Sequence, residues 1–339
     1  MVAITGQRSL VSASLLLVFF YSLPHFFGGN SELLLFAYLF TIIFFVSNII
    51  SIIKSETKEM SFNMLTAGMN GLFLLCWVLS TEQEEFKSLI IAAWMLVFAI
   101  GAFLVFQKTG KKEPFYVYAL ASISMLAAAT ALELSGNTLL IAYSIESMII
   151  SISIYFIMKE VAPAEGFAAL LIGPVVLSIG TIYSYAIQPE PLTKEFFSLI
   201  IVTAAVMGTG LFFWDKAKAA NNKECTQIND FLVILGSGYI YLLIWMFFGK
   251  LIEATDMAAT VSLIIYTIIG LSVYFYGVWE EKKGFRIYGQ ALLALIVLRL
   301  LIVDISNMEI AGKIITFFLI GALLISTAFI EKRKPRINN

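Results

Sequence analysis

The chain has 339 residues, of which 60% are hydrophobic and only 13% are charged, and its formal net charge is -1. Soluble domains are roughly 45–50% apolar and about 25% charged, so this chain has more apolar surface than one aqueous core can hide. Its basic residues fall in short clusters between apolar runs, a distribution that argues against nucleic acid as a partner. The composition therefore predicts a membrane protein with lipids as its main partners.

Twelve apolar segments are long enough to cross a bilayer as helices. A helix needs about 20 largely apolar residues to cross a hydrocarbon core roughly 30 Å thick. The segments are continuously apolar rather than alternating, which favours helices over barrel strands. We therefore predict an all-α fold, a single transmembrane bundle over residues 1–339. Its predicted spans are 9–27, 32–53, 62–80, 87–106, 115–134, 138–158, 166–188, 195–214, 229–249, 257–280, 285–304 and 310–330.

The basic residues outside the spans predict the orientation. Seventeen lysines and arginines lie on one face of the predicted topology and four, Lys87, Lys194, Lys250 and Lys313, on the other. By the positive-inside rule the first face is cytoplasmic, so both termini are predicted to be cytoplasmic. The chain then forms six successive helical hairpins. We predict them as units 9–54, 62–108, 115–159, 166–216, 229–283 and 285–331.

The sequence has few residues that could bind a metal, and it lacks the second histidine that a two-histidine catalytic mechanism needs. The only histidine is His25, and the two cysteines, Cys76 and Cys225, are predicted to lie on opposite sides of the bilayer. The sequence contains no P-loop, dinucleotide fingerprint or zinc-protease motif. We therefore expect no metal, no cofactor and no catalytic residue of a known type.

Two charged residues fall inside predicted spans. Glu146 lies about 8 residues from the outer end of the sixth span and Arg299 about 5 from that of the eleventh, or about 12 Å and 8 Å by helical rise. A charge at such depth costs roughly 2.5–3.5 kcal/mol on insertion scales and indicates a functional site. One interpretation is a buried ion pair that locks two helices. The other is a cavity in which Arg299 binds an anionic headgroup or carboxylate and Glu146 is a counter-ion or proton carrier.

Polar residues near these two charges complete a candidate substrate-binding site. The serines around Glu146 could line a polar path or only allow close helix packing. On the eleventh span Tyr288 shares a helix face with Arg299, and Asp304 is either a ligand or a solvated helix end. We expect Glu146 and Arg299 to lie within direct or one-water reach. The candidate substrate-binding residues are Arg299, Glu146, Tyr288, Asp304, Ser144, Ser147 and Tyr143.

The C-terminal part of the chain carries a short motif. Arg286-Ile287-Tyr288-Gly289 is followed by apolar residues, Arg299 and Asp304. This segment resembles the C-terminal part of an uncharacterised bacterial polytopic membrane family, catalogued as domain of unknown function 2339. Its pattern has Tyr-Gly, a lysine where Arg299 stands here, and then an aspartate. A central acid in a helix, as at Glu146, is also similar to a family feature. The resemblance implies a protein of the bacterial inner membrane and brings no established activity.

Three classes of function remain open from the sequence. The first is transport or translocation of a small or lipid-linked anionic solute, through a polar cavity formed partly by residues 229–330 and opening outward. The second is a membrane scaffold or assembly subunit whose buried charges are structural. The third is an intramembrane transferase acting on a lipid-linked substrate, which short outer loops and the missing histidine pair disfavour. The sequence does not indicate any protein partner.

Overall fold

Helices make up the fold of this protein. The structure, a computed structural model, describes residues 8–26, 33–55, 60–80, 86–219, 226–252, 255–279 and 283–299, together with isolated positions after 299. No strand occurs within these ranges. The helices are α1 (Arg8–Phe26), α2 (Leu34–Ile53), α3 (Ser61–Ser80), α4 (Lys87–Thr109), α5 (Lys112–Glu133), α6 (Gly136–Met158), α7 (Val161–Ala168), α8 (Ile172–Ile187), α9 (Lys194–Ala219), α10 (Thr226–Leu251), α11 (Thr255–Trp279) and α12 (Lys283–Arg299).

The helices confirm a polytopic membrane protein. In the described part of the chain, ten helical segments are long and apolar enough to cross a membrane, with α7 and α8 counted as one segment, Val161–Ile187. Helix α12 covers most of the predicted eleventh span, 285–304. The predicted twelfth span, 310–330, lies mostly outside the described residues, so the count of twelve is not confirmed.

The chain divides into two compact units, Met1–Leu139 and Leu140–Asn339. In the first unit α4 packs most extensively against α5, and α3 contacts α1, α2 and α5. In the second unit the most extensive pairs are α9 with α10 and α11 with α12. All three of these consecutive pairs are joined by loops on the predicted cytoplasmic face rather than by the predicted outer turns. The predicted hairpins are therefore not confirmed as packing units.

The segment formed by α7 and α8 is interrupted after its first eight residues. A 3₁₀ turn at Ala169–Leu171 separates the two helices. Pro174 follows one turn later, and because proline has no backbone N–H and its ring clashes with the carbonyl four residues earlier, it removes the helical bond to Leu170. The proline therefore contributes to the interruption, which leaves two short helices within one apolar span.

Helices α11 and α12 approach each other closely at two glycines. A Cβ atom on Gly289 would lie 2.7 Å from the backbone nitrogen of Tyr274, and one on Gly277 would overlap the backbone of Arg286. Only residues without a side chain allow this approach. In the Tyr288-Gly289 pair, the glycine therefore allows α12 to pack closely against α11.

We expect Gly289→Ala to lower the thermal unfolding midpoint in detergent. Forcing a methyl group into a packed contact costs about 1–3 kcal/mol, which exceeds the helix-propensity gain of about 1 kcal/mol. Gly284→Ala on the same helix is the matched control, because its Cβ would meet only Trp214, at 3.4 Å. Equal midpoints for the two variants would contradict the close approach at Gly289.

Candidate functional site

The buried face of α6 is rich in serine. Ser144, Ser147 and Ser151 lie on this face and are 0%, 7% and 0% exposed. The Ser144 hydroxyl donates to the Leu140 carbonyl at 2.7 Å, and the Ser151 hydroxyl donates to the Ser147 carbonyl at 2.7 Å. Two of these hydroxyls are thus satisfied within their own helix, which favours the packing interpretation of the serines.

Glu146 lies beside this serine face rather than on it. The residue is half-buried, as is Tyr143 one turn before it, and the two side chains interact electrostatically. This spacing of three residues places neighbouring side chains next to each other on a helix surface. Of the four candidate residues on α6, the two serines are thus buried, and the two larger side chains flank them.

Arg299 packs its guanidinium against aromatic rings. Its Cζ atom lies 4.0 Å from the ring centroid of Trp245 on α10 and 5.9 Å from that of Tyr266 on α11. The ring face carries partial negative charge and attracts the cation, an interaction worth about 0.5–2 kcal/mol. Arg299 therefore joins three helices through aromatic contacts. Its pairing with Glu146 stays a prediction.

Tyr288 faces the same helix, α10, as Arg299 does. Its hydroxyl lies close to the side chain of Ser237 of α10. Ser237, Tyr241 and Trp245 follow one another at intervals of four residues, so they lie on one face of α10. That face therefore contacts both candidate residues of α12. Asp304 lies outside the described residues.

A cavity of about 350 Å³ lies beside Trp245, at the end of α10 that is predicted to be outer. Pockets that bind small molecules are typically about 300–1,000 Å³. Among the described residues, Lys250 is the charged member of its lining, and the other lining residues are small or apolar. The lining consists of Ala186, Trp245, Met246, Gly249, Lys250 and Ala258.

Lys250 forms part of the wall of this cavity. Its ammonium group donates to the backbone carbonyls of Tyr185 and Gln188 and lies 4.0 Å from the Tyr185 ring centroid. The buried carboxylate of Glu195 interacts with it electrostatically. An ammonium has three donors, so the two carbonyls leave it capacity for a further acceptor.

Three polar links join α10 to the interrupted segment. Near the predicted cytoplasmic end the Asn229 side chain donates to Glu165 at 2.5 Å, and near the middle the hydroxyls of Tyr239 and Ser178 are 2.5 Å apart. Lys250 forms the third link at the other end. Because hydrogen bonds between helices stabilise a membrane bundle, these links hold α7 and α8 beside α10.

The first unit holds a separate buried network. Asn48 of α2 donates to the hydroxyl of Tyr118 and to the backbone carbonyl of Asn63, both at 2.9 Å. Asn63 of α3 donates in turn to Asn48 Oδ1 and to the Ser51 hydroxyl, both at 3.0 Å. The network connects α2, α3 and α5 inside the first unit.

Trp245 and Lys250 were not among the candidate residues predicted from the sequence. Lys250 was identified only as one of four basic residues on the predicted outer face. One signal was available, because a tryptophan on the predicted span 229–249 and the lysine that directly follows the span are five residues apart, or about 8 Å along a helix. Comparisons with family models, curated proteins and solved structures found no match to this chain.

Proposed function

We propose that this protein transports or translocates a small or lipid-linked anionic solute, which binds in the cavity beside Trp245 and Lys250. The single observation that carries the proposal is the cavity of about 350 Å³ with a lysine in its wall. Arg299, a candidate anion-binding residue from the sequence, lies against the Trp245 ring that lines the same cavity.

The charges near the cavity support an anionic ligand. Lys250 lines it directly, and the guanidinium of Arg299 lies 4.0 Å from the centroid of one of its wall residues, Trp245. No acidic residue belongs to the described lining. Glu195 balances part of the charge of Lys250, whereas Arg299 adds a second cation. In a medium of low dielectric constant such cations attract anions strongly.

The remaining lining residues favour a ligand with an apolar part. Ala186, Gly249 and Ala258 have little or no side chain and leave space between α8, α10 and α11. Trp245 and Met246 offer apolar surface. The lining thus has one charged part, at Lys250, and one apolar part. An anionic headgroup would lie near Lys250, and its hydrocarbon chain would lie along the small residues.

The proposal includes the location and the family. The distribution of seventeen basic residues on one face and four on the other supports cytoplasmic termini. The Tyr288-Gly289 pair supports the resemblance to the bacterial family with domain of unknown function 2339, and through it an inner-membrane location.

A variant that fills the cavity tests the function. A Cβ atom on Gly249 would meet no atom within 4 Å, so Gly249→Phe should occupy the cavity without displacing backbone. Gly238→Phe is the matched control, since it is an exposed glycine on the same helix with equally open surroundings. We expect purified Gly249→Phe in nanodiscs to bind farnesyl phosphate at least about tenfold more weakly than wild type and Gly238→Phe do, a loss of about 1.4 kcal/mol.

Two further probes identify the ligand class. Farnesol has the same chain without the anion, and it should bind wild type much more weakly than farnesyl phosphate does. Binding of inorganic phosphate with the same dependence on Gly249 would indicate a small solute rather than a lipid-linked one. Equal binding of farnesol and farnesyl phosphate, or unchanged binding by Gly249→Phe, would show that the cavity is not an anion site.

A scaffold or assembly subunit is the second candidate function. The observation that favours it is that Ser144 and Ser151 bond within their own helix and that Arg299 packs on aromatic rings. Under this alternative, filling the cavity should leave the cellular phenotype intact, whereas disrupting the helix contacts should abolish it.

A further inference from the structure

A small polar cavity in the first unit lies between α1, α2 and α3, and it is independent of the proposed function. Its volume is about 10 Å³. That is close to the minimum of about 10–15 Å³ that one water molecule needs. The polar residues of its lining are Arg8, Ser47, Asn48, Ser51, Asn63 and Thr66.

The hydrogen bonds around this cavity fix the orientation of the Asn63 amide. Its nitrogen donates to Asn48 Oδ1 and to the Ser51 hydroxyl. The amide nitrogen of Asn48 is itself committed to Tyr118 and to the Asn63 backbone carbonyl. Exchanging the Asn63 oxygen and nitrogen would place two carbonyl oxygens against each other. The side-chain oxygen of Asn63, Oδ1, is therefore the atom that has no partner within this network.

This oxygen is a buried acceptor that the surrounding protein does not satisfy. Asn63 is 2% exposed, and its Oδ1 atom has no hydrogen-bond partner among the described residues. A buried polar atom without a partner is unfavourable, and more so within a membrane, where lipid supplies no donor. Because Asn63 also lines the cavity, a molecule in the cavity can reach it.

The residues that line the cavity determine which kind of molecule it can bind. An anion has no proton to donate to an amide oxygen. A metal cation or ammonium would be repelled by Arg8, whose guanidinium lines the cavity and donates to Ser55 at 2.5 Å. A volume of about 10 Å³ excludes larger neutral donors.

We propose that this cavity is a binding site for one ordered water molecule, which donates to Asn63 Oδ1. The hydroxyls of Ser47 and Ser51 line the same cavity, and each can donate or accept a further bond. The water thereby extends the network of Asn63, Asn48 and Tyr118 towards the end of α1 that carries Arg8. A continuous polar connection then runs from that end into the interior of the first unit.

A density map of the full chain in nanodiscs, at a resolution that shows ordered water, tests the proposal directly. We expect a peak about 2.7–3.2 Å from Asn63 Oδ1. A map that shows other internal waters but an empty cavity at Asn63 would overturn the proposal.

Filling the cavity gives an independent test by thermal unfolding. The larger side chain of Ser47→Val should displace the water and leave Asn63 Oδ1 without a hydrogen-bond donor. Ser47→Ala removes only a hydroxyl. We expect the midpoint of Ser47→Val to lie about 2–4 °C below that of Ser47→Ala. The control is the same pair of substitutions at Ser124, an exposed helical serine whose hydroxyl donates to the carbonyl of Leu120 in its own helix. The difference between Ser124→Val and Ser124→Ala measures the effect of the low helix propensity of valine on the midpoint, and it is subtracted from the difference at Ser47. A corrected midpoint of Ser47→Val at or above that of Ser47→Ala would indicate a dry void and contradict the site.

Discussion

Replacing Arg299 with leucine is expected to reduce the yield of folded protein in detergent severalfold. The guanidinium lies between three helices, 4.0 Å from the ring centroid of Trp245 and 5.9 Å from that of Tyr266. If Glu146 is its ion-pair partner, as the sequence predicts, the leucine also leaves a carboxylate uncompensated in the membrane. Breaking a buried pair costs about 3–5 kcal/mol. Size-exclusion chromatography and thermal unfolding of the purified variant measure the loss.

The double substitution Glu146→Leu with Arg299→Leu separates the two contributions. Removing both members of an ion pair can be nearly neutral, so we expect the double variant to recover much of the yield. Trp245→Leu, which removes the aromatic contact and leaves both charges, is the control. Effects of the two single substitutions that simply add would show that Glu146 and Arg299 are not partners. Full reproduction of the Arg299→Leu effect by Trp245→Leu would assign that effect to the aromatic contact.

Asn48→Leu is expected to destabilise the first unit by about 2–5 kcal/mol, because three hydrogen bonds between helices are lost at about 0.6–1.7 kcal/mol each. The side chain is 3% exposed, so water cannot replace these bonds at the surface. The control is Asn70→Leu, at a position 1% exposed where the amide nitrogen donates to the Thr41 carbonyl at 3.0 Å. We expect its effect on the unfolding midpoint to be about one third as large. Equal effects of the two substitutions would contradict a central role for Asn48.

The positions of the helices could be predicted from the sequence because hydrocarbon thickness sets their length. The predicted span 62–80 corresponds to α3, Ser61–Ser80, and the predicted span 229–249 to α10, Thr226–Leu251. Charged residues at the ends of apolar runs determine such boundaries locally. No knowledge of the partner helices is needed for this prediction.

The interruption after α7 was not predicted, although Pro174 lies within the predicted span 166–188. In membrane helices a proline can either bend a continuous helix or separate two helices, and neighbouring groups decide between these outcomes. Here a 3₁₀ turn forms at Ala169–Leu171.

The candidate site could be predicted only in part. Arg299 and Glu146 could be identified as candidates because the sequence alone shows a charged residue within an apolar run. The cavity beside Lys250 depends on residues from α8, α10 and α11 that lie far apart in the sequence, so its lining could not be predicted from spacing. Asn63 likewise could not be linked to Asn48 from the sequence alone, because the contact between α2 and α3 is visible only in the structure.

Helix α8 extends from the 3₁₀ turn to the cavity beside Lys250, so any angular change at the turn would be amplified along its length. Ala186 lies 15 residues beyond Leu171, or about 22 Å along a helix axis. A rotation of about 10° at the turn therefore displaces Ala186 by roughly 4 Å, more than the width of a water molecule. Because Ala186 lines the cavity, a small angular change at the turn alters the width of the cavity at its far end.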